Sequence, residues 1–380
     1  MEVVFFISLT LLIYIYFGYP LLLMMMGIFR KPLVPCDGLQ LPSVVVVIAA
    51  YNEEANIEKT IENKLAQKYD ASKLTVVVIS DSSSDKTDEI VNRIGTKTDR
   101  VTLLRQKMRE GKTSALNLAR HHINADIIVF SDANSIYSDN AIYELVKVFN
   151  NPKVGYVTGK MVYVNSEGSL VGDGCSAYMK YENKLREFET QFGSVVGVDG
   201  GIDAIRSHLF KELNADQLPD FVQPLWTVRQ GYEVKYCSTA LLKENALNES
   251  GAEFRMRVRV SLRALWALYD MRVLFNPVKY GWFSLQLFSH KLLRYLAVVF
   301  MFTALMSNLA LAPQSIFFIS MLCLQSFFYL LAFTGYKKTN FKSPLFSAPY
   351  YFCLINLACM WALFKFLRGQ KIVTWTPREG

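Results

Sequence analysis

The sequence predicts an α/β domain with a mostly parallel sheet, flanked by transmembrane helices. Three apolar runs predict the sheet, each stopping abruptly at polar or acidic residues. They are Val-Val-Val-Val-Ile-Ala-Ala-Tyr-Asn at 44–52, Leu-Thr-Val-Val-Val-Ile-Ser at 74–80 before Asp81, and Asp-Ile-Ile-Val-Phe at 126–130 before Ser131 and Asp132. Continuous β-branched runs of this length read as strands buried on both faces, the mark of a parallel sheet between helix layers. Ligands of such sheets bind outside the carboxyl ends of the strands, so three acidic or polar ends point to one crevice. Long uncharged stretches near both termini predict the membrane helices. Composition agrees: 52% of the 380 residues are hydrophobic and mean hydropathy is positive, too apolar for one ordinary water-soluble domain.

The elements follow in order. Residues 3–28 are almost continuously apolar, and about 20 such residues span a bilayer. The stretch is too long for a signal-peptide core and lacks a basic leader and a clear small-residue cleavage site, so a retained transmembrane helix is expected at 1–30. Glu2 precedes it and Arg30 and Lys31 follow, which puts the next segment in the cytoplasm by the positive-inside rule. Residues 31–42 read as a linker. From 43 to about 160, expected strands (44–48, 74–79, 101–104, 126–130, 154–158) alternate with helices near 54–67, 85–94, 113–121 and 140–149. Short loops between alternating elements mean a βαβ succession. Asp85 or Thr87, and Asp139, are candidate helix caps. Residues 161–250 are less regular, with a helix around 175–190, a Gly-rich stretch at 193–201 and a short helix after Pro219. A cytoplasmic domain over 43–252 is the expectation.

Residues 253–290 read as basic amphipathic interfacial helices. Arg255, Arg259 and Arg263 share one helix face, while Leu262, Leu265, Trp266 and Tyr269 lie largely on another. The C-terminal membrane region, 291–366, holds three runs long enough to cross: 292–311, 316–333 and 345–366. Lys291 and Arg294, then Lys337, Lys338 and Lys342, suit a cytoplasmic face. Three crossings would put Lys365, Arg368, Lys371 and Arg378 of the segment through 380 on the opposite side, unless the last run is re-entrant and breaks at Pro344 or Pro349. Both arrangements stay open. The six cysteines form no CxxC pair and no zinc spacing with the four histidines, as expected of a reduced cytoplasmic domain. The formal charge of +8 suits an anionic membrane surface or a phosphate-bearing substrate. Nucleic acid is set aside, because no nucleic-acid motif accompanies that charge.

Several residues could carry chemistry, each with a plainer reading beside it. Asp132 and Asn134, two apart after a buried strand, can offer hard oxygen ligands to a divalent cation; otherwise they form a polar turn. Asp81 can accept hydrogen bonds from a nucleoside, or can cap a helix. Arg109-Glu-Gly-Lys-Thr113 is not a Walker loop, because position 106 is Gln where that pattern needs Gly. Lys112 can still meet a phosphate at a helix N-terminus, or be an exposed lysine. Asp220 beside Pro219 is a cap, unless the fold sets it across the crevice from Asp132, where it could act as a general base. The arginines at 255, 257, 259 and 263 suit a diphosphate, or a basic face on lipid headgroups.

Together these residues resemble the family 2 glycosyltransferases related to hyaluronan, chitin and cellulose synthases. The resemblance runs from Ser43 to about Tyr269 and extends to the flanking helices. Ala49-Ala-Tyr-Asn-Glu53 is similar to the family's opening nucleotide-binding motif, and Asp81 to its second acidic position. Gly111-Lys112 with Ala115-Leu116-Asn117 is similar to its Gly-Lys…Ala-Leu-Asn segment. Asp132-Ala-Asn134 stands where the metal-binding Asp-x-Asp does, 197–206 resembles the acceptor-side stretch, and Asp220 matches the catalytic base. Two departures are evident: Asn134 replaces the second aspartate, and the Gln-x-x-Arg-Trp of processive synthases is absent, Met256-Arg-Val-Arg-Val260 occupying roughly its place. Trp266 is a distant substitute for the missing tryptophan.

The resemblance implies a membrane-embedded, inverting transferase of GT-A fold in the cell (inner) membrane, its catalytic domain cytoplasmic. The donor would be a nucleotide sugar, a UDP-sugar first, with Ala50, Tyr51, Glu53, Asp81, Lys112, Asp132, Arg257 and Arg259 around it. Mg²⁺ or Mn²⁺ would sit on Asp132 and Asn134. Gly200, Gly201 and Asp203 would lie on the acceptor side, and Asp220 would deprotonate the acceptor hydroxyl of a polysaccharide or lipid-linked glycan. The lipid bilayer, and a homo-oligomer or export partner, complete the expected partners. The alternatives are a non-processive enzyme adding one sugar to a lipid carrier, and a non-catalytic nucleotide-sugar-binding scaffold.

Overall fold

The computed structural model describes residues 1–27, 41–164, 170–245, 249–337 and 343–373. Nearly all of the expected linker, with Arg30, Lys31, Cys36, Lys338, Lys342 and Arg378, lies outside the described residues. The chain divides into two compact units: Met1–Arg30, Asn165–Phe188 and Asn245–Lys371 form one, and Lys31–Val164, Glu189–Glu244 and Ile372–Gly380 the other.

The second unit holds an eight-stranded sheet. Its strands are β1 (Val44–Ala50), β2 (Leu74–Ser80), β3 (Val101–Arg105), β4 (Ile127–Asp132), β5 (Ile136–Tyr137), β6 (Val154–Val164), β7 (Asp203–Arg206) and β8 (Glu233–Asn245), in the order β3-β2-β1-β4-β7-β6-β8-β5. The four strands β3, β2, β1 and β4 pair in parallel. They include the three apolar runs, and every residue of β1 is buried, as a strand covered on both faces requires. Val45, Val47 and Ala49 join Ala115, Leu116 and Ala119 of helix Lys112–Arg120 in one core, while helix Ile57–Leu65 packs against β2 and helix Thr87–Gly95.

The other half of the sheet differs from expectation. The expected strand at 154–158 is part of an eleven-residue β6 that pairs antiparallel with β7, and β7 pairs antiparallel with β4. β5, β7 and β8 were not foreseen. β7 has four residues inside a Gly-rich stretch, and β8 buries Lys235 and Glu244, so neither shows a clean apolar period. The reversal matters for the site. Because β7 runs against β4, its first residue, Asp203, pairs with Phe130 near the edge where β4 ends in Asp132.

The first unit is helical. Among the described residues, four helices are long and apolar enough to cross a membrane: Glu2–Gly27, Ala297–Gln314, Ile316–Lys337 and Pro344–Leu367. The N-terminal helix packs on the second, with Ser8 and Thr303 hydroxyls 2.8 Å apart, and the last two pack together. Pro344–Leu367 continues as one helix through Pro349, so no break for a re-entrant segment occurs there. Helix Ser250–Asp270 lies along Pro344–Leu367, which turns part of its basic face inward: Arg263 is buried, whereas Arg255 is exposed. The Trp266 indole N–H donates to the Gln370 carbonyl at 2.8 Å and its ring packs on Phe366, so these contacts occupy it. Inside the unit, Glu182 is buried, ion-paired with Arg294 and 3.2 Å from His290 Nε2.

Candidate active site

The strand register assembles the site before any side chain is considered. Ala49 pairs with Asp132, and Ala50 with Ser80, so the ends of β1, β2 and β4 lie side by side. The loops beyond β1 and β2 are laced together. Ser84 N–H donates to Asn52 Oδ1 at 2.9 Å, Lys86 N–H to Glu54 Oε2 at 2.9 Å, Glu54 N–H to Asp85 Oδ2 at 3.0 Å and Glu53 N–H to Thr87 Oγ1 at 2.8 Å. Asp85 also accepts from Thr87 N–H and hydroxyl just before helix Thr87–Gly95, but the N-cap position is Lys86, so neither Asp85 nor Thr87 is the cap expected. Asn52 and Ser82 have φ of 52° and 62°. Left-handed conformations at non-glycine residues cost about 1–3 kcal/mol each and persist where surrounding bonds over-determine them, as this lacing does.

The nucleotide-side candidates fall on this edge with different roles. Ala50 is fully buried and its carbonyl accepts from Asp81 N–H, so Tyr51 alone of the pair is partly exposed. The Arg109 guanidinium lies 3.8 Å from the centre of the Tyr51 ring. Asp81 is buried, and its carboxylate accepts from Glu110 N–H at 2.8 Å and Gly111 N–H at 3.2 Å. It therefore holds the loop that leads into Lys112. Burial raises the Asp81 carboxyl above the ordinary range, and the two N–H groups and Arg109 oppose that rise. Burial likewise raises Glu53, with Asp132 and Asp85 adding to it. Gly111 has φ +95°, and a Cβ there would meet the Val373 carbonyl oxygen at 3.0 Å, so the loop requires glycine on two counts.

The centre of the site is carboxylate-rich. Lys112 Nζ pairs with Asp132 Oδ1 at 2.5 Å. Burial draws the Lys112 ammonium down, but Asp132, Asp220 and Asp203 outweigh it and hold the group above the ordinary lysine range. Asp220 stands in the first turn of helix Pro219–Arg229, where a negative charge is favoured by the helix dipole. Asp220 Oδ1 is buried without a hydrogen-bond partner among the described residues. Gly200 and Gly201 separate the acids. A Cβ on Gly200 would lie 2.2 Å from Asp220 Oδ2, and one on Gly201 3.0 Å from Ser135 Oγ and 3.5 Å from Asp132 Oδ2. Asp203 is buried, and burial with the negative charges of Asp220 and Asp199 raises its carboxyl well above the usual range, against the Thr158 and Tyr156 hydroxyls. Lys112, Gly200, Asp203, Pro219 and Asp220 line one small cavity with Tyr156, Phe130 and Gln223.

Asp132 and Asn134 are chemically suited to a divalent cation. Lys112 engages one Asp132 oxygen, and Asn134, two residues on, is half-exposed. Among the described residues no three His, Cys, Asp or Glu side chains form a ligand set. A cation here would take Asp132 and Asn134 from the protein and its other oxygens from phosphate and water, the arrangement Mg²⁺ prefers. Arg257 and Arg259 belong to the helical unit. There Arg257 pairs with Glu253 at 2.8 Å and donates to the Tyr351 hydroxyl at 2.7 Å. Sequence reasoning passed over Arg109 on Tyr51, and Tyr156, Thr158 and Ser135 around the acids. Only Arg109 had a legible signal, inside a motif rejected for other reasons.

Residues 45–213 match the family model described as Glycosyl transferase family 2. Over 235 residues the chain is 27% identical to the poly-beta-1,6-N-acetyl-D-glucosamine synthase of Staphylococcus aureus (strain COL), covering 60% of this chain and 56% of that one. It is 28% identical over 233 residues to the probable glycosyltransferase YdaM of Bacillus subtilis (strain 168), covering 58% and 54%. The chain thus spans just over half the length of these curated relatives. Among solved structures, the mannosyltransferase PcManGT from Pyrobaculum calidifontis, in complex with GDP-Man and Mn²⁺, has a TM-score of 0.74 at 21% identity over 97% of this chain and 99% of that one. That likeness is one of fold. With strand ends, acids and glycines assembled as described, residues 45–213 are similar to the family 2 glycosyl transferases, and the fold is GT-A-like.

Proposed function

We propose that this chain is a membrane-embedded, inverting glycosyltransferase that moves a sugar from a nucleotide-sugar donor, a UDP-sugar first, to a polysaccharide or lipid-linked acceptor. The single observation that carries the reading is the cavity where Lys112, Asp203, Asp220 and Gly200 meet, with Asp132 bound to the same lysine. The four apolar helices support embedding in the cell membrane, with the catalytic unit on the cytoplasmic side as the charge pattern favours.

Asp132 and Asn134 would hold Mg²⁺ or Mn²⁺, which when bound neutralises the diphosphate as the bond to it breaks. Lys112 stays charged in its nest of carboxylates and adds a second positive charge on that side. Asp220 takes the proton from the acceptor hydroxyl. That oxygen forms the new bond to the anomeric carbon as the bond to the diphosphate breaks on the opposite face, which inverts the anomeric centre. Tyr51, with Arg109 against it, offers the surface for the base, while Glu53 and Asp81 shape the loops around it.

The test is nucleoside diphosphate release from a panel of nucleotide sugars by the purified chain in detergent, with and without Mn²⁺ or Mg²⁺. Metal-dependent release from one donor is expected, lost in Asp132→Ala and reduced roughly 10²–10⁴-fold in Asp220→Asn with donor binding kept. Normal turnover by Asp220→Asn would remove the base assignment. Donor binding without turnover, across acceptors extracted with the membrane, would favour the scaffold alternative.

A further inference from the structure

One face of helix Ile57–Leu65 and the turn after it is polar although it is buried. Thr60 and Lys64 are fully buried and Gln67 nearly so. Each side chain reaches one carbonyl of the stretch that follows β4. Thr60 Oγ1 donates to Ala133 O at 2.6 Å, Lys64 Nζ to Ser135 O at 2.6 Å, Asn63 Nδ2 to Tyr137 O at 3.0 Å and Gln67 Nε2 to Ser138 O at 2.9 Å. Asn63 Oδ1 accepts in return from Tyr137 N–H at 2.8 Å and from Lys64 at 3.1 Å. The Lys64 ammonium also lies 3.5 Å from the centre of the Tyr137 ring, and the Tyr137 hydroxyl sits 2.9 Å from Phe130 O and 2.8 Å from Gly201 O.

The ladder has a consequence for the two residues between its rungs. Ala133 and Ser135 are buried, whereas Asp132 and Asn134 alternate with them and stay half-exposed. The backbone is gripped from behind at 133 and 135, which sets the spacing of the side chains at 132 and 134. Lys64 is the costly rung. No carboxylate lies within ion-pair distance of it among the described residues, and burying an ammonium on neutral partners is costly. Burial pushes its ammonium well below the ordinary lysine range, opposed by the charge of Asp132. An apolar side chain of the same length would fill this space without that cost, so packing alone does not account for a lysine.

We propose that Lys64 is a positioning residue: through the Ser135 carbonyl and the Tyr137 ring it holds Asp132 and Asn134 at the spacing a divalent cation on a nucleoside diphosphate requires. The proposal rests on the reading of Asp132 and Asn134 as the metal side of the site. Groups that orient metal ligands from behind are worth roughly 10–100-fold in metal affinity or activity.

The test measures Mn²⁺ binding directly, by loss of the free Mn²⁺ electron paramagnetic resonance signal, on the full chain in detergent with UDP and, in a second series, GDP. Lys64→Met is expected to bind Mn²⁺ roughly 10–100-fold more weakly. Thr60→Val should shift in the same direction by less. Ile61→Ala, a buried apolar truncation on the same helix, should lower the unfolding temperature and leave Mn²⁺ affinity as it was. Lys64→Met with wild-type affinity, while Asp132→Ala loses it, overturns the role of Lys64 alone. If Lys64→Met does not fold, an unchanged affinity in Thr60→Val overturns it instead. Wild-type binding in Asp132→Ala, or no uptake by the wild type with either nucleotide, removes the metal reading and the proposal with it.

Discussion

Replacing Gly200 by alanine tests the base assignment without touching a charge. The new Cβ would lie 2.2 Å from Asp220 Oδ2 and 2.8 Å from both Asp220 Cβ and Cγ. Asp220 is in the first turn of helix Pro219–Arg229, so its backbone is held and the side chain must give way. Ordinary contact requires the carboxylate to retreat by roughly 1 Å, and a misplacement of that size at a reacting group costs about 10²-fold in rate. The effect should fall on kcat, because the proposed donor site lies on the Asp132 side. Steady-state nucleoside diphosphate release and equilibrium donor binding, measured on the same preparation with its unfolding temperature, separate these quantities. Gly201→Ala is the internal comparison. Its Cβ would press on Leu242 Cδ2 at 2.8 Å and Ser135 Oγ at 3.0 Å, but would only touch Asp132 Oδ2 at 3.5 Å, so donor binding should change more than kcat. A folded Gly200→Ala enzyme with wild-type kcat would refute the placement of the base at Asp220.

Three further outcomes follow from the same geometry. Lys112→Met removes the partner 2.5 Å from Asp132, and a lost hydrogen bond to a charged group is worth about 1.5–3 kcal/mol, so the donor KM should rise roughly 10–100-fold. A donor titration that leaves KM unchanged would separate Lys112 from the diphosphate. Asp203 holds its proton more tightly folded than unfolded, so its share of stability is whole below the ordinary aspartate range and is lost as pH rises through its raised value. Thermal unfolding followed upward in pH from the ordinary aspartate range should therefore decline more steeply for the wild type than for Asp203→Asn, and parallel curves would contradict this. Glu182→Ala leaves Arg294 and His290 buried without their carboxylate and should destabilise the helical unit by about 3–5 kcal/mol, read from unfolding in detergent.

The amino-acid sequence by itself determined the parallel half of the sheet, its acidic edge and the apolar helices. These are legible because burial on both faces, or in a hydrocarbon layer, demands continuous apolar runs whatever the rest of the chain does. Asp81, Lys112, Asp132 and Asp220 were recognisable singly, and as a set by resemblance. Tertiary structure decided what they are to one another. Only the antiparallel return of β7 brings Asp203 to the edge where β4 ends, and only the fold brings Gly200 into close approach with Asp220 beside the cavity. It also gave Asp81 two backbone amides to hold, partners that no local pattern announces. Lys64 is the clearest case. Its neighbours on the helix, Ile57 and Ile61, face the core, and a lysine in that company reads as exposed until its partners are known. Those partners are a carbonyl and a ring some seventy positions further along the chain. Local periodicity reports how much of a side chain is covered, whereas a hydrogen bond to a distant backbone depends on where the fold has carried that backbone.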